Sequence, residues 1–328
     1  MEQVRIGFIG AGGIAHRHVG VLQNLPEARL TAFADLDLGR AESLAGRAGN
    51  GAKAYGDYRA MLDGETLDAL YICVPPFVHG LAVDAPEAAA LERKLPFFVE
   101  KPLSVDYETA RAISVEVERA NLVTAVGYHW RYLDTTEQAK QLLAQTPARL
   151  ALGYWLDSTP PPAWWHKEAQ SGGQFIEQTT HIFDLARYLL GDVETVYAVG
   201  SHLNRAGYPD LDVCDVSAAT LTFASGAIGQ MASTCLLHWN HRAGLHLFGE
   251  GMAVELSDRE ILVDVGQGRP VTGSQVDPVV LEDQDFLHAV MGQENRIRSP
   301  YAESLKTHRV TTLAAKSIQE GRALPVGK

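Results

Sequence analysis

The chain has 328 residues, 46% of them hydrophobic and 21% charged, which is the composition of a globular protein long enough for two domains. Its formal charge of −12 argues against nucleic acid or an anionic membrane surface as a partner. No apolar run approaches the roughly 20 residues of a spanning helix, and a strand opens at Val4, so neither a membrane anchor nor a signal peptide is expected.

Residues 4–9 (Val-Arg-Ile-Gly-Phe-Ile) form a short β-rich run that leads directly into Gly10-Ala11-Gly12-Gly13-Ile14-Ala15 and a helical pattern reaching about Leu25. This is the G-x-G-x-x-A dinucleotide fingerprint in its strand–turn–helix setting. Gly10 permits the tight turn, Gly12 lets the backbone approach a pyrophosphate at the helix N-terminus, and Ala15 allows close packing. The next strand, 29–34, ends in Asp35, placed to accept hydrogen bonds from the adenosine ribose hydroxyls. Asp35 and Asp37 would repel a 2′-phosphate, which favours NAD; Arg40 could reach such a phosphate and keeps NADP open.

A third strand at 69–74 runs into Val74-Pro75-Pro76-Phe77-Val78-His79, where His79 either borders the cofactor or packs. A fourth, 96–99, ends in Glu100-Lys101-Pro102, at the carboxyl edge where open α/β sheets bind ligands. A lysine there can reach a substrate oxygen. The strand at 123–127 closes a first domain, assigned to residues 1–127. It is followed by Tyr128-His129-Trp130-Arg131-Tyr132, in which His129 is either a substrate contact or a structural hydrogen-bonding residue.

The pattern then changes. Segments near 148–156, 194–202, 214–223, 227–237, 242–248, 252–256 and 260–265 read as strands joined by short turns, and a last helix is expected at 302–319. The fold class is therefore an α/β Rossmann domain plus a C-terminal α+β domain, residues 128–328, with a large, mostly antiparallel open-faced sheet. One face of that sheet needs a cover, and a second subunit is the simplest one, giving a homodimer or homotetramer. Trp164, in the loop Pro160–Lys167, could wall a sugar ring or plug the loop. Cys73, Cys214 and Cys235 lie in apolar runs without metal-ligand spacing and read as reduced thiols of a cytoplasmic protein. His238-x-x-His241 has no third ligand nearby, and no metal is expected.

One helix, 174–190, is expected to carry Glu177, His181 and Asp184 at i, i+4 and i+7, within one polar sector. A carboxylate one turn before an imidazole can orient it for acid–base work. Asp184 could bind a substrate hydroxyl.

Taken together, Gly10–Ala15, Asp35, Glu100-Lys101-Pro102, and Gly172-Gly173 followed by Glu177 and His181 resemble the Gfo/Idh/MocA oxidoreductases over nearly the whole chain. The resemblance implies hydride transfer between a nicotinamide and a carbinol or ketone carbon of a sugar, cyclitol or related polyol. It implies Lys101 and His181 as the catalytic pair, with Glu177 orienting His181. The cofactor set is then Gly10, Gly12, Gly13, Ile14, Asp35, Pro75, His79, Glu100 and Lys101, and the substrate set is His129, Arg131, Trp164 and Asp184. The family commonly has Asp where Glu177 stands and Asn where Pro76 stands. Two other readings stay open: a redox-neutral enzyme that keeps NAD bound and works through a transient ketone, and a non-catalytic NAD-binding sensor. The presence of both Lys101 and His181 speaks against the sensor.

Overall fold

A computed structural model of the chain describes residues 2–327. The chain divides into two compact units. The first comprises Met1–Ser104, Glu108–His129 and Asp277–Ser304; the second comprises Val105–Tyr107, Trp130–Val276 and Leu305–Lys328. A single crossing after residue 127 was expected from the sequence. The helix Pro278–Val290 instead returns to the first unit, because its apolar face packs on the first helix.

The first unit is built on a six-stranded parallel sheet: β1 (Val4–Ile9), β2 (Ala28–Ala34), β3 (Lys53–Tyr55), β4 (Ala69–Ile72), β5 (Phe97–Val99) and β6 (Thr124–Val126), in the order β3-β2-β1-β4-β5-β6. The order reverses direction between β1 and β4, the switch point where such sheets bind nucleotides. β3 was not expected; it has three residues and no buried one, so it carries almost no hydrophobic signal. Register places Phe33, Phe8, Tyr71 and Phe98 side by side across four strands. Their rings stack at 5.3, 4.9 and 4.9 Å between neighbours. Phe286, from the returning helix, sets its edge against Tyr71 and Phe98.

The second unit holds a nine-stranded sheet: β7 (Leu150–Ser158), β8 (Val193–Ser201), β9 (Val216–Phe223), β10 (Ile228–Leu237), β11 (Arg242–Gly249), β12 (Met252–Leu256), β13 (Glu260–Asp264), β14 (Val271–Gly273) and β15 (Leu324–Pro325). The order is β14-β13-β12-β11-β7-β10-β9-β8-β15, and every pairing except β7 with β10 is antiparallel. The helix Thr180–Leu190 lies on one face. It comes close because β7 has Gly153, where a Cβ would fall 2.5 Å from Ile182 Cγ2 and 2.4 Å from Met231 Sδ. The opposite face stays open: Leu150 and Leu152 of β7, Ile228 of β10, and Tyr197 and Val199 of β8 are 36–51% exposed.

The helix expected over 174–190 is interrupted. It forms Gln174–Glu177 and Thr180–Leu190, joined by a turn in which Thr179 N–H donates to Gln174 O, five residues back, at 2.8 Å. Thr179 Oγ1 is drawn to Ser233 Oγ of β10 at 2.8 Å, a tertiary bond that helical periodicity does not reveal. Glu177 and His181 therefore do not share one regular helical face.

Candidate active site

In the first unit, β1 ends in a turn that only glycine fits at residue 10. Gly10 has φ of +95°, and a Cβ there would lie 2.2 Å from Cys73 O. At Gly12 and Gly13 an added Cβ would meet nothing within 4 Å, so the loop surface is open. Gly12 caps the helix Gly13–Leu22 without any side-chain hydrogen bond, which leaves that terminus suited to an anion. Asp35 stands at the end of β2, where Oδ2 accepts from Ala11 N–H at 2.8 Å and Oδ1 from Asp37 N–H at 2.9 Å. It thus fixes the glycine loop, and a carboxylate still has lone pairs for ribose hydroxyls. Arg40, exposed, pairs with Asp37 at 3.5 Å. An open glycine loop, an uncapped helix terminus and an acid at the end of β2 fit a dinucleotide.

Pro75 precedes the short turn Pro76–Val78, and Ile14 is exposed on the first helix. His79 is buried, with Nδ1 against Glu87 Oε1, and Glu87 also accepts from Gly80 N–H at 3.1 Å. This anchors His79 structurally. Its Nε2 has no hydrogen-bond partner among the described residues.

Glu100 and Lys101 follow β5 as expected. Glu100 Oε2 accepts from Lys101 N–H at 3.0 Å, and the Lys101–Pro102 peptide is cis. His129, beyond β6, is pushed down from 6.5 to about 4; burial is the largest cause, Glu100 opposes it, and Lys101 and His18 add to it. At neutral pH it is an uncharged ring.

In the second unit, His181 opens the helix Thr180–Leu190 and is 5% exposed. Its ring lies beside the indoles of Trp155 and Trp130, at centroid distances of 5.7 and 6.4 Å and 21° between planes in each case. Glu177 Oε2 accepts from the indole N–H of Trp165 at 2.8 Å. Trp164, half-buried, packs with Tyr208 against the cluster of Trp165, Leu211, Val213 and Cys235.

Asp184 lies on the same helix as His181 and is buried. Its two oxygens accept from Arg131 Nε at 2.7 Å and Nη2 at 2.6 Å, and Thr307 Oγ1 donates to it at 2.7 Å. Both side chains of the ion pair are 1% exposed. Asp184 thus forms a buried ion pair with Arg131, the second residue of the pair also having been expected to contact substrate.

Sequence reasoning missed Trp130, Trp155 and Trp165 as neighbours of His181 and Glu177, and it gave His18 no part in a site. The alternation of β7 could have turned Trp155 toward the helix. The contacts of Trp165 and His18 cross long sequence separations and leave no local signal.

The family models agree with this construction. Residues 4–128 match the model described as oxidoreductase family, NAD-binding Rossmann fold, and residues 148–255 match the Gfo/Idh/MocA C-terminal domain. The chain belongs to the Gfo/Idh/MocA oxidoreductases. It is similar to myo-inositol 2-dehydrogenase of Thermotoga maritima, with 28% identity over 93% of this chain and 86% of that protein. It is similar to the NAD+-dependent scyllo-inositol 2-dehydrogenase of Bacillus subtilis, with 29% identity over 76% of this chain and 72% of that one. In structure it resembles an NAD binding oxidoreductase from Klebsiella pneumoniae, with a TM-score of 0.87 and 21% identity over the full length of both chains. As a Gfo/Idh/MocA oxidoreductase, the protein has the NAD-binding fold its glycine loop announces. Among the described residues no helix is long and apolar enough to cross a membrane.

Proposed function

We propose that the protein is an NAD-dependent dehydrogenase of a cyclitol or related polyol. The observation that carries the substrate class is the placement of His181 beside the indole faces of Trp155 and Trp130. A titratable imidazole next to aromatic surface suits a molecule with C–H faces and hydroxyl edges. The inositol dehydrogenases among the relatives point the same way. When bound, the nicotinamide supplies a hydride acceptor for the carbinol carbon. His181 accepts the hydroxyl proton during oxidation, and the Lys101 cation stabilises the developing oxyanion. Glu177, steadied by Trp165, supports His181. Gly10, Gly12 and Gly13 cradle the pyrophosphate, and Asp35 selects NAD over NADP by meeting the ribose diol.

The test is steady-state turnover of NAD+ with a panel of inositols and sugars. Lys101→Ala and His181→Ala should each lower kcat by about 10²–10⁴-fold while NAD+ affinity holds. Wild-type kcat in His181→Ala on the best substrate would refute the assignment.

We further propose that the open sheet face is covered by a second copy. Register aligns Leu150 with Ile228, Thr222 and Thr195, then Leu152 with Gln230, Thr220 and Tyr197, then Tyr154 with Ala232, Ala218 and Val199. This broad, weakly charged surface favours burial. Light scattering should give a dimer or tetramer at micromolar concentration, and a monomer would contradict it. The buried thiols Cys73 and Cys235 fit a reducing compartment such as the cytoplasm.

A further inference from the structure

Beneath the Glu-Lys-Pro turn lies a buried cluster that the catalytic reading does not use. His18, on the first helix, is fully buried. Its Nδ1 faces Asp283 Oδ1 at 2.8 Å, and its Nε2 faces Glu100 Oε1 at 3.1 Å. A neutral imidazole has one N–H, so a ring that meets carboxylates at both nitrogens needs two protons or a protonated partner. Burial alone would lower the pKa of His18, but Asp283 and Glu100 raise it well above 6.5, so the ring is the cation.

The groups around it divide the work. Asp283 also accepts from Tyr71 O–H at 3.2 Å, from β4 below. Glu282, the neighbour of Asp283 on the returning helix, is 1% exposed, and neither of its carboxyl oxygens has a hydrogen-bond partner among the described residues. Burial pushes its pKa well up, against the opposing pull of His18, so its proton is held more tightly than that of an ordinary carboxyl. The ring is wedged edge-on against Tyr71 and Phe98 at 5.3 and 4.8 Å.

Glu100 is the link outward. One oxygen takes His18, and the other takes the backbone N–H of Lys101 at 3.0 Å. Its carboxyl group fills the space a side chain at Gly127 would need, where a Cβ would lie 2.4 Å from Oε1. The carboxylate is thus pinned from three sides, and the residue whose amide it holds is Lys101.

We propose that His18 is a positioning residue for Lys101: as a bridging imidazolium between Asp283 and Glu100, it locks the carboxylate that holds the Lys101 amide and so sets where the lysine is presented. The same ring ties the cofactor-binding helix to the helix that returns from the end of the chain. The inference rests on the assignment of Lys101 as a catalytic group, and its test separates the two.

The direct readout needs neither cofactor nor substrate. Amide hydrogen exchange at Lys101, followed by mass spectrometry or NMR in the full-length protein, reports on the Lys101–Glu100 bond. His18→Gln is neutral and carries its donors on a single nitrogen, so it cannot span the two carboxylates as the opposed ring nitrogens do. It should speed exchange at Lys101 by about tenfold or more, while amides of β1 and β4 keep their protection. A role in stability alone would speed all of them together. With NAD+ and myo-inositol as the probe pair, His18→Gln should lower kcat by about 10–100-fold with NAD+ affinity unchanged. The double variant His18→Gln/Glu100→Gln should lose little more than the worse single variant. If His18→Gln does not fold, Asp283→Asn, which keeps shape and an acceptor, takes its place and should show the same local exchange effect in smaller measure. Unchanged exchange at Lys101 in the folded variants overturns the proposal. Full activity in Lys101→Ala would instead overturn the catalytic assignment and leave the exchange result standing.

Discussion

The indole N–H of Trp165 donates to the Glu177 carboxylate at 2.8 Å, which joins a loop tryptophan to the acid four residues before His181. Trp165 is 1% exposed and belongs to a small apolar cluster with Leu211, Val213 and Cys235. The loop therefore helps to orient the Glu177 carboxylate.

Trp165→Phe keeps most of that apolar volume and removes the donor. Loss of one donor to a half-buried carboxylate costs about 1–2 kcal/mol. Urea unfolding should show a loss in that range, and kcat should fall by about tenfold with KM for NAD+ unchanged. If stability falls and kcat does not, Glu177 has no part in supporting His181.

Asp35 makes two bonds to its own loop, to Ala11 N–H and Asp37 N–H. Asp35→Ser should thus have two effects. It should weaken NAD+ binding by about tenfold, since it loses a carboxylate acceptor and loosens the glycine loop. It should also narrow the preference over NADP+, because the negative charge facing a 2′-phosphate is gone. Calorimetric titration of both cofactors checks this, and tighter NADP+ binding by the wild type would reverse the assignment.

Much of this was legible in the sequence, and the reasons differ by element. Five of the six Rossmann strands could be read because their apolar runs are continuous and bounded by Gly, Pro and Asp; β3, with no buried residue, could not. Gly10 could be read because the tight turn after β1 requires it, and Asp35 and Glu100-Lys101-Pro102 because they stand at strand ends and match the family pattern. The break between Glu177 and Thr180 could not, because its cause is a bond from Thr179 to Ser233, 54 residues away. The same holds for the Arg131–Asp184 pair, 53 residues apart, and for the return of Pro278–Val290 to the first unit. Periodicity reports which face is buried and is silent about which partner waits there.

Asp184→Asn tests the role of that residue. Arg131 would keep its burial and lose its charge partner, and breaking one side of a buried ion pair costs about 3–5 kcal/mol. The thermal midpoint should drop by several degrees, with KM for the polyol unchanged in whatever fraction stays folded. A raised KM at unaltered stability would keep Asp184 in the substrate-binding set.

His129 should make the folded protein sensitive to acid, and the sign follows from its direction of shift. Its ring titrates near 6.5 in the unfolded chain and near 4 in the folded protein, where burial disfavours the cation. Above pH 6.5 it is neutral in both states and contributes no pH dependence. As pH falls from 6.5 toward 4, the unfolded chain binds a proton that the folded protein refuses, so stability declines by up to about 3 kcal/mol. His18 runs the other way: its raised pKa gives a contribution that is complete below 6.5 and lost as pH rises through the folded value, so it cannot imitate an acid loss. His129→Gln removes the titration and keeps a polar side chain. Urea unfolding at pH 7.0, 5.5 and 4.5 should therefore give a shallower decline for the variant than for the wild type. Parallel declines would show that the folded protein accommodates the His129 cation without cost.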